Sequence, residues 1–215
     1  MTNFERFADT FKDYFDNHGL RVDFFTDMRQ ASRNDDGSGA ARCIYIGKRK
    51  LDVIDMDAVA KEGYYYTKDA SSDSGPINSV DAFLINYSNE WFFIEFKDTK
   101  INADKSKTKD NIIKKAYSNW YMILDILFES KDAQGIRKIF DFENPVHFAK
   151  QHVHYILVCP WAKNPQIFEQ VRNHEKIGER YTPPFMCRLK DYLFKDVYAY
   201  TEDVFERKFV NVFEY

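Results

Sequence analysis

The stretch VDAFLINYSNEWFFIEFKD, Val80–Asp98, leaves this chain few folds to choose from. Two apolar runs flank a short polar break, which predicts an antiparallel hairpin with strands over 80–87 and 91–98. Alternate side chains of a strand point to opposite faces. Trp91, Phe93, Glu95 and Lys97 therefore share one face, and Phe92, Ile94 and Phe96 the other. Asp81 at the start of the hairpin and Glu95 and Lys97 at its end are the charges to explain. They are either solvated strand ends or a site.

The flanking sequence completes an α/β pattern. Thr2 and Glu5 form a capping box ahead of Phe4, Phe7, Ala8, Phe11 and Phe15, so a helix is expected over 3–17, with His18-Gly19 as its stop. ARCIYIG and KLDVIDMD read as strands, with GYYYT (63–67) as a further short one. KDASSDSGPINS (68–79) is a loop leading into the hairpin. A long amphipathic helix follows over 108–129, with Ile112, Ala116, Trp120, Ile123 and Leu127 on its apolar face. HVHYILVCP (152–160) reads as a buried strand. Asn164-Pro165 opens another helix, which ends near Gly178, and a strand and short helix close the chain. The order predicts an α/β sandwich on a mixed central sheet flanked by helices.

With 215 residues, 44% of them hydrophobic, the chain is long enough to bury its own core in one domain. The core is expected over about 1–160, with a C-terminal α/β extension over 161–215. Three widely spaced cysteines argue against a disulfide framework or a zinc ribbon and for a reducing, cytoplasmic setting. No long apolar run suggests a membrane segment. The net charge of −3 does not by itself announce nucleic acid. Its distribution is more telling. Between Glu95 and Lys115 stand seven lysines against four acids.

Phosphodiester hydrolysis needs a divalent metal, an activated water and a cation to offset charge on the phosphate. Asp81 and Glu95 could supply the two carboxylates that Mg²⁺ (or Mn²⁺) usually takes, with the Phe96 carbonyl as a third ligand. Lys97 would hold or help deprotonate the attacking water. Lys100, Lys105, Lys107, Lys109, Lys114 and Lys115 would draw in a nucleic-acid backbone. Asp81, thirteen intervening residues, then Glu95-Phe96-Lys97 resembles the PD-(D/E)xK nuclease superfamily, over roughly residues 76–130. Val80 stands where the motif's name has Pro, and Pro76 lies five residues before the Asp. The resemblance implies a restriction-endonuclease-like αβββαβ core and a metal-dependent nuclease of DNA or RNA. It also makes Glu5, on the first helix, a candidate accessory metal ligand, although the capping box already accounts for it. A plain two-residue turn at Ser88-Asn89 would send Asp81 to the wrong face, so the hairpin must have an odd loop or a β-bulge.

Other polar clusters have ordinary readings. Asp52, Asp55 and Asp57 suit a half-exposed strand running into a turn, and His147, His152 and His154 lack zinc-site spacing. Tyr64-Tyr65-Tyr66 reads as a packed strand before it reads as a base-stacking platform. The alternative function is a non-catalytic protein with a nuclease-like fold that binds a protein partner. A homodimer is compatible with either function.

Overall fold

Thr2 closes the first turn of helix α1 (Asn3–Asn17): its side chain accepts the Glu5 amide while Glu5 reaches back to the Thr2 amide, the expected capping box. The computed structural model describes residues 1–34, 42–68, 74–101, 106–133 and 135–215. After α1 come β1 (Phe25–Asp27), the short α2 (Met28–Ala31), and a ribbon of β2 (Arg33–Asn34) and β3 (Arg42–Cys43). Strand β4 (Asp52–Asp55) runs straight into α3 (Met56–Ala58), a π-helical stretch Val59–Tyr64, and α4 (Tyr65–Thr67).

That last run corrects the expectation of a strand at GYYYT. Asp55 caps a helix by accepting the amides of Asp57 and Ala58, so the chain turns helical as soon as β4 ends. Gly63 then lies against the Phe15 ring, where an added Cβ would stand 2.5 Å from ring carbons. Packing on α1 overrides the β preference of three tyrosines.

Strands β5 (Ala82–Ile85) and β6 (Trp91–Phe96) form the hairpin. Helix α5 (Ser106–Glu129) leads through α6 (Pro145–His152) to β7 (Val153–Cys159). Helices α7 (Pro165–Lys176) and α8 (Cys187–Tyr192), strand β8 (Asp196–Thr201) and α9 (Glu202–Lys208) follow. The main sheet is mixed and six-stranded, in the order β1-β4-β5-β6-β7-β8. Pairing is antiparallel from β1 to β6 and parallel through β6, β7 and β8. The C-terminal segment thus contributes an edge strand to the same sheet.

The two sheet faces pack differently. On one, Trp91 meets Phe7 of α1 and Phe148 of α6, and α5 buries Ile112, Ala116, Trp120, Ile123 and Leu127, the face expected from sequence. On the other, Phe92 and Phe96 pack against Phe209 and Phe205. Glu95, in phase with Trp91 and Phe93, projects toward α5. None of the described helices is long and apolar enough to cross a membrane.

Candidate functional site

The hairpin turn sets the geometry of the site. Asn86 and Glu90 close a three-residue loop through Asn86 N–H to the Glu90 carbonyl (3.0 Å), and Asn89 adopts a left-handed φ of 59°. This is the odd loop that the expected site requires, with an asparagine at the position that tolerates positive φ. Ala82 therefore pairs with Ile94 and Phe83 with Phe93. Continuing the register, Asp81 falls opposite Glu95 on the same face. The Asp81 amide donates to the Ile94 carbonyl (3.1 Å), and its carboxylate accepts the Phe96 amide at 2.5 Å.

Glu95 has no solvent exposure at all. A glutamate is almost never fully buried without a partner. Lys97 Nζ lies 2.9 Å from its Oε1 and Lys115 Nζ 2.8 Å from its Oε2. Lys115 also reaches Asp81 Oδ1 at 3.5 Å, so one ammonium is shared by both carboxylates. Oε1 of Glu95 has an ion-pair neighbour in Lys97 but no partner with hydrogen-bond geometry. Burial and then the Glu95 charge push Asp81 well above the ordinary carboxylate range, against the pull of Lys115 and the Phe96 amide. Burial acts to lower Lys115, but Glu95 and Asp81 outweigh it and hold the ammonium above its ordinary value.

Lys115 departs from its expected role. Placed among the surface lysines by sequence, it lies on the buried face of α5, one turn after Ile112, with only 13% of its side chain exposed. Asn119, a turn further on, donates to the Lys115 carbonyl (2.7 Å) and to the Asn78 carbonyl (3.4 Å), tying α5 to the segment that leads into Asp81. Asp57, by sequence an ordinary strand-end acid, carries a charge that contributes to raising Asp81. Ser79 donates a hydrogen bond to it, and Lys61 pairs with it at 2.5 Å.

The remaining candidates divide. Lys97, Lys107 and Lys114 line one open cleft of about 590 Å³ together with Asn78, Asn111 and two acids, Asp98 and Asp110. Lys109 points elsewhere, its ammonium 5.6 Å from the Phe185 ring. Lys100 is exposed on the connection after β6, and Lys105 lies outside the described residues. Asn164, expected to cap α7, makes no side-chain cap. It is buried and instead accepts the Ile101 amide (2.8 Å) and donates to the Thr99 carbonyl (3.1 Å), fixing the start of that connection. Glu5 is not at the site. Asn3, beside it, donates to the Tyr87 carbonyl (3.4 Å), so α1 begins at the turn end of the hairpin, opposite to Asp81. Glu5 there faces a cleft with Asp27, Asp52 and Tyr215.

Asp81 and Glu95 are a hard oxygen donor set, and the ammonium they share marks a position that holds positive charge between them. The oxygens of these two carboxylates are of the kind a divalent cation such as Mg²⁺ takes, and Lys115 stands between them. Among the described residues, no group of three or more His, Cys, Asp or Glu comes together at metal-ligand spacing. No family model, curated protein or solved structure matches the chain.

Proposed function

We propose that this chain is a metal-dependent nuclease with a restriction-endonuclease-like core, hydrolysing phosphodiester bonds of DNA or RNA at Asp81, Glu95 and Lys97. The observation that carries the reading is the complete burial of Glu95 directly across the hairpin from Asp81. A solvated strand-end pair would have no reason to be there. A purely structural carboxylate would be left with one cation of its own, not with a second carboxylate sharing it. The order α1, the antiparallel β4–β5–β6 meander, α5 and then β7 beside β6 supports the same reading.

Asp81, Glu95 and the Phe96 carbonyl would hold Mg²⁺ or Mn²⁺, which supplies a polarised water and offsets charge on the phosphate. The chain's own residues do the rest. The Phe96 amide fixes the Asp81 carboxylate, so the ligand is oriented before any metal arrives. Lys97, at the cleft and beside Glu95, would orient the attacking water and face the developing negative charge. Lys107 and Lys114 attract the phosphate backbone along the same cleft. Lys115 neutralises the carboxylates in the metal-free protein and keeps two like charges tolerable in a buried place. Three free cysteines suit the cytoplasm.

The test is a cleavage screen with Mg²⁺ and Mn²⁺ over duplex, single-stranded, branched and RNA substrates. Metal-dependent cutting that is lost in both Asp81→Asn and Glu95→Gln supports the assignment. Cutting that survives in either variant refutes it.

A further inference from the structure

The lysine cleft does not end at Asn78. The same residue borders a second groove, lined by Tyr65, Tyr121, Lys68 and Ser118, between α5 and the segment 74–78. Positions 111, 114, 118 and 121 form one stripe along α5, so Tyr121 lies about 10 Å along the axis from Lys114. Tyr121 is 62% exposed and Tyr117, one turn before it, 47%. Tyr66 is 65% exposed and stands against Tyr65 with ring centroids 5.2 Å apart. One exposed aromatic is ordinary. Tyr65 and Tyr121 together on a groove that shares Asn78 with a lysine-bearing cleft call for an explanation.

Packing accounts for the neighbouring tyrosine but not for these. Tyr64 is buried and donates to Asp125 (2.7 Å). Lys68 pairs with Asp125 (2.6 Å) and Glu129 (2.5 Å), offsetting the acids at the far end of the groove. What remains along the groove is the exposed Tyr121 and the half-exposed Tyr65, leading to a cleft whose three lysines, Lys97, Lys107 and Lys114, outnumber Asp98 and Asp110.

We propose that this groove seats unpaired bases against Tyr65 and Tyr121, so that the substrate class is single-stranded nucleic acid. The inference rests on the nuclease reading for its cleft and adds the strand state of the substrate. A positive groove that tracks phosphates beside rings that take bases is how single strands are held without sequence readout. The bases of a duplex are already stacked on one another, and offer no free face to Tyr121. Extending from the cleft, a strand with its phosphates at Lys107 and Lys114 places its next bases over the tyrosines.

The experiment is fluorescence anisotropy in EDTA with labelled oligo(dT), oligo(U) and a DNA duplex of equal length. Single strands should bind at least ~10-fold more tightly than duplex. Tyr65→Ala and Tyr121→Ala should each weaken single-strand binding by about 5- to 100-fold, the loss of one base–aromatic stack, and leave duplex binding unchanged. Tyr121→Phe should bind as wild type, because stacking needs the ring and not the hydroxyl. Equal affinity for single strand and duplex overturns the proposal, as does a Tyr121→Phe variant as weak as Tyr121→Ala. If Mn²⁺-dependent cutting of duplex proceeds in a protein that ignores single strands, the groove assignment fails and the nuclease reading stands. Tight, tyrosine-dependent single-strand binding without metal binding or cleavage does the converse: the groove assignment stands and the nuclease reading fails.

Discussion

Strand β6 has a carboxylate–cation cluster at each end, and the two are built on different principles. At its start, Glu90 pairs with Lys195 (2.6 Å) and His154 (2.5 Å), one partner for each oxygen. Burial works to raise Glu90, but the hydrogen bonds from Lys195 and His154 outweigh it and leave the group below its ordinary value. At its end, Asp81 and Glu95 share Lys115, and Asp81 is driven the other way, upward. The Glu90 cluster is a matched set that favours the folded, ionised state. The Asp81–Glu95 pair sets two carboxylates side by side at a cost to stability, which on the proposed reading serves the site. Burial acts to raise both groups; at Glu90 its two donors outweigh it, whereas at Asp81 the Glu95 charge adds to it.

That contrast can be broken from either end. The largest effect expected is on cleavage: Glu95→Gln should reduce Mn²⁺-dependent turnover by at least ~10³-fold, whereas Glu90→Gln should leave it within about twofold. Single-turnover rates on one substrate read both. Next in size is Lys115→Met, which leaves a fully buried Glu95 with Lys97 alone. Removing one partner of a buried ion pair costs about 3–5 kcal/mol, and thermal melts in EDTA should show it. Saturating Mn²⁺ should then raise the Tm of Lys115→Met more than that of the wild type, because the metal replaces the missing charge.

The two clusters should also differ in sign with pH. Glu90 lies below its ordinary value when folded, so its contribution is present above the ordinary carboxylate range and is lost as pH falls through its lowered value. Glu90→Gln should cost about 1–2 kcal/mol at neutral pH and flatten that acid limb. Asp81 is raised when folded, so metal-free stability should decline as pH rises from the ordinary carboxylate range through its raised value. Asp81→Asn removes that decline and should stabilise the metal-free protein at neutral pH by on the order of 1 kcal/mol, about 2–4 °C in Tm. A carboxylate of the proposed site whose removal stabilises the protein, set against a structural one whose removal destabilises it, is the comparison in its sharpest form.

Much of this was legible in the residues themselves. The polar break between two apolar runs, the alternation of Trp91 to Lys97, and the i, i+4 apolar stripe of α5 locate the hairpin and the helix, because each is a local pattern. Lys115 was not legible in its true role. It lies between Ile112 and Asn119 on the buried stripe, and a lysine there reads as the edge of an apolar face until the opposing Glu95 is known. Asn119 in the same stripe was the available signal: two polar residues at i, i+4 inside a buried face call for a polar partner opposite. Glu5 misled for the converse reason. Its place on the first helix was clear, but not that α1 starts at the turn end of the hairpin. The tyrosines of 64–66 went to a helix because Asp55 caps it, a signal present in IDMDA but subordinate there to the strand that precedes it.

The central claim is that Asp81 and Glu95 together hold a divalent cation, displacing the ammonium they share. Isothermal titration of the metal-free protein with Mn²⁺ tests it directly. One site per chain is expected, lost in Asp81→Asn and in Glu95→Gln, retained in Glu90→Gln, and tighter by at least ~10-fold in Lys115→Met. A Mn²⁺ site that survives unchanged in Asp81→Asn and Glu95→Gln, or the lack of any site in a wild-type protein shown to be folded, would contradict it.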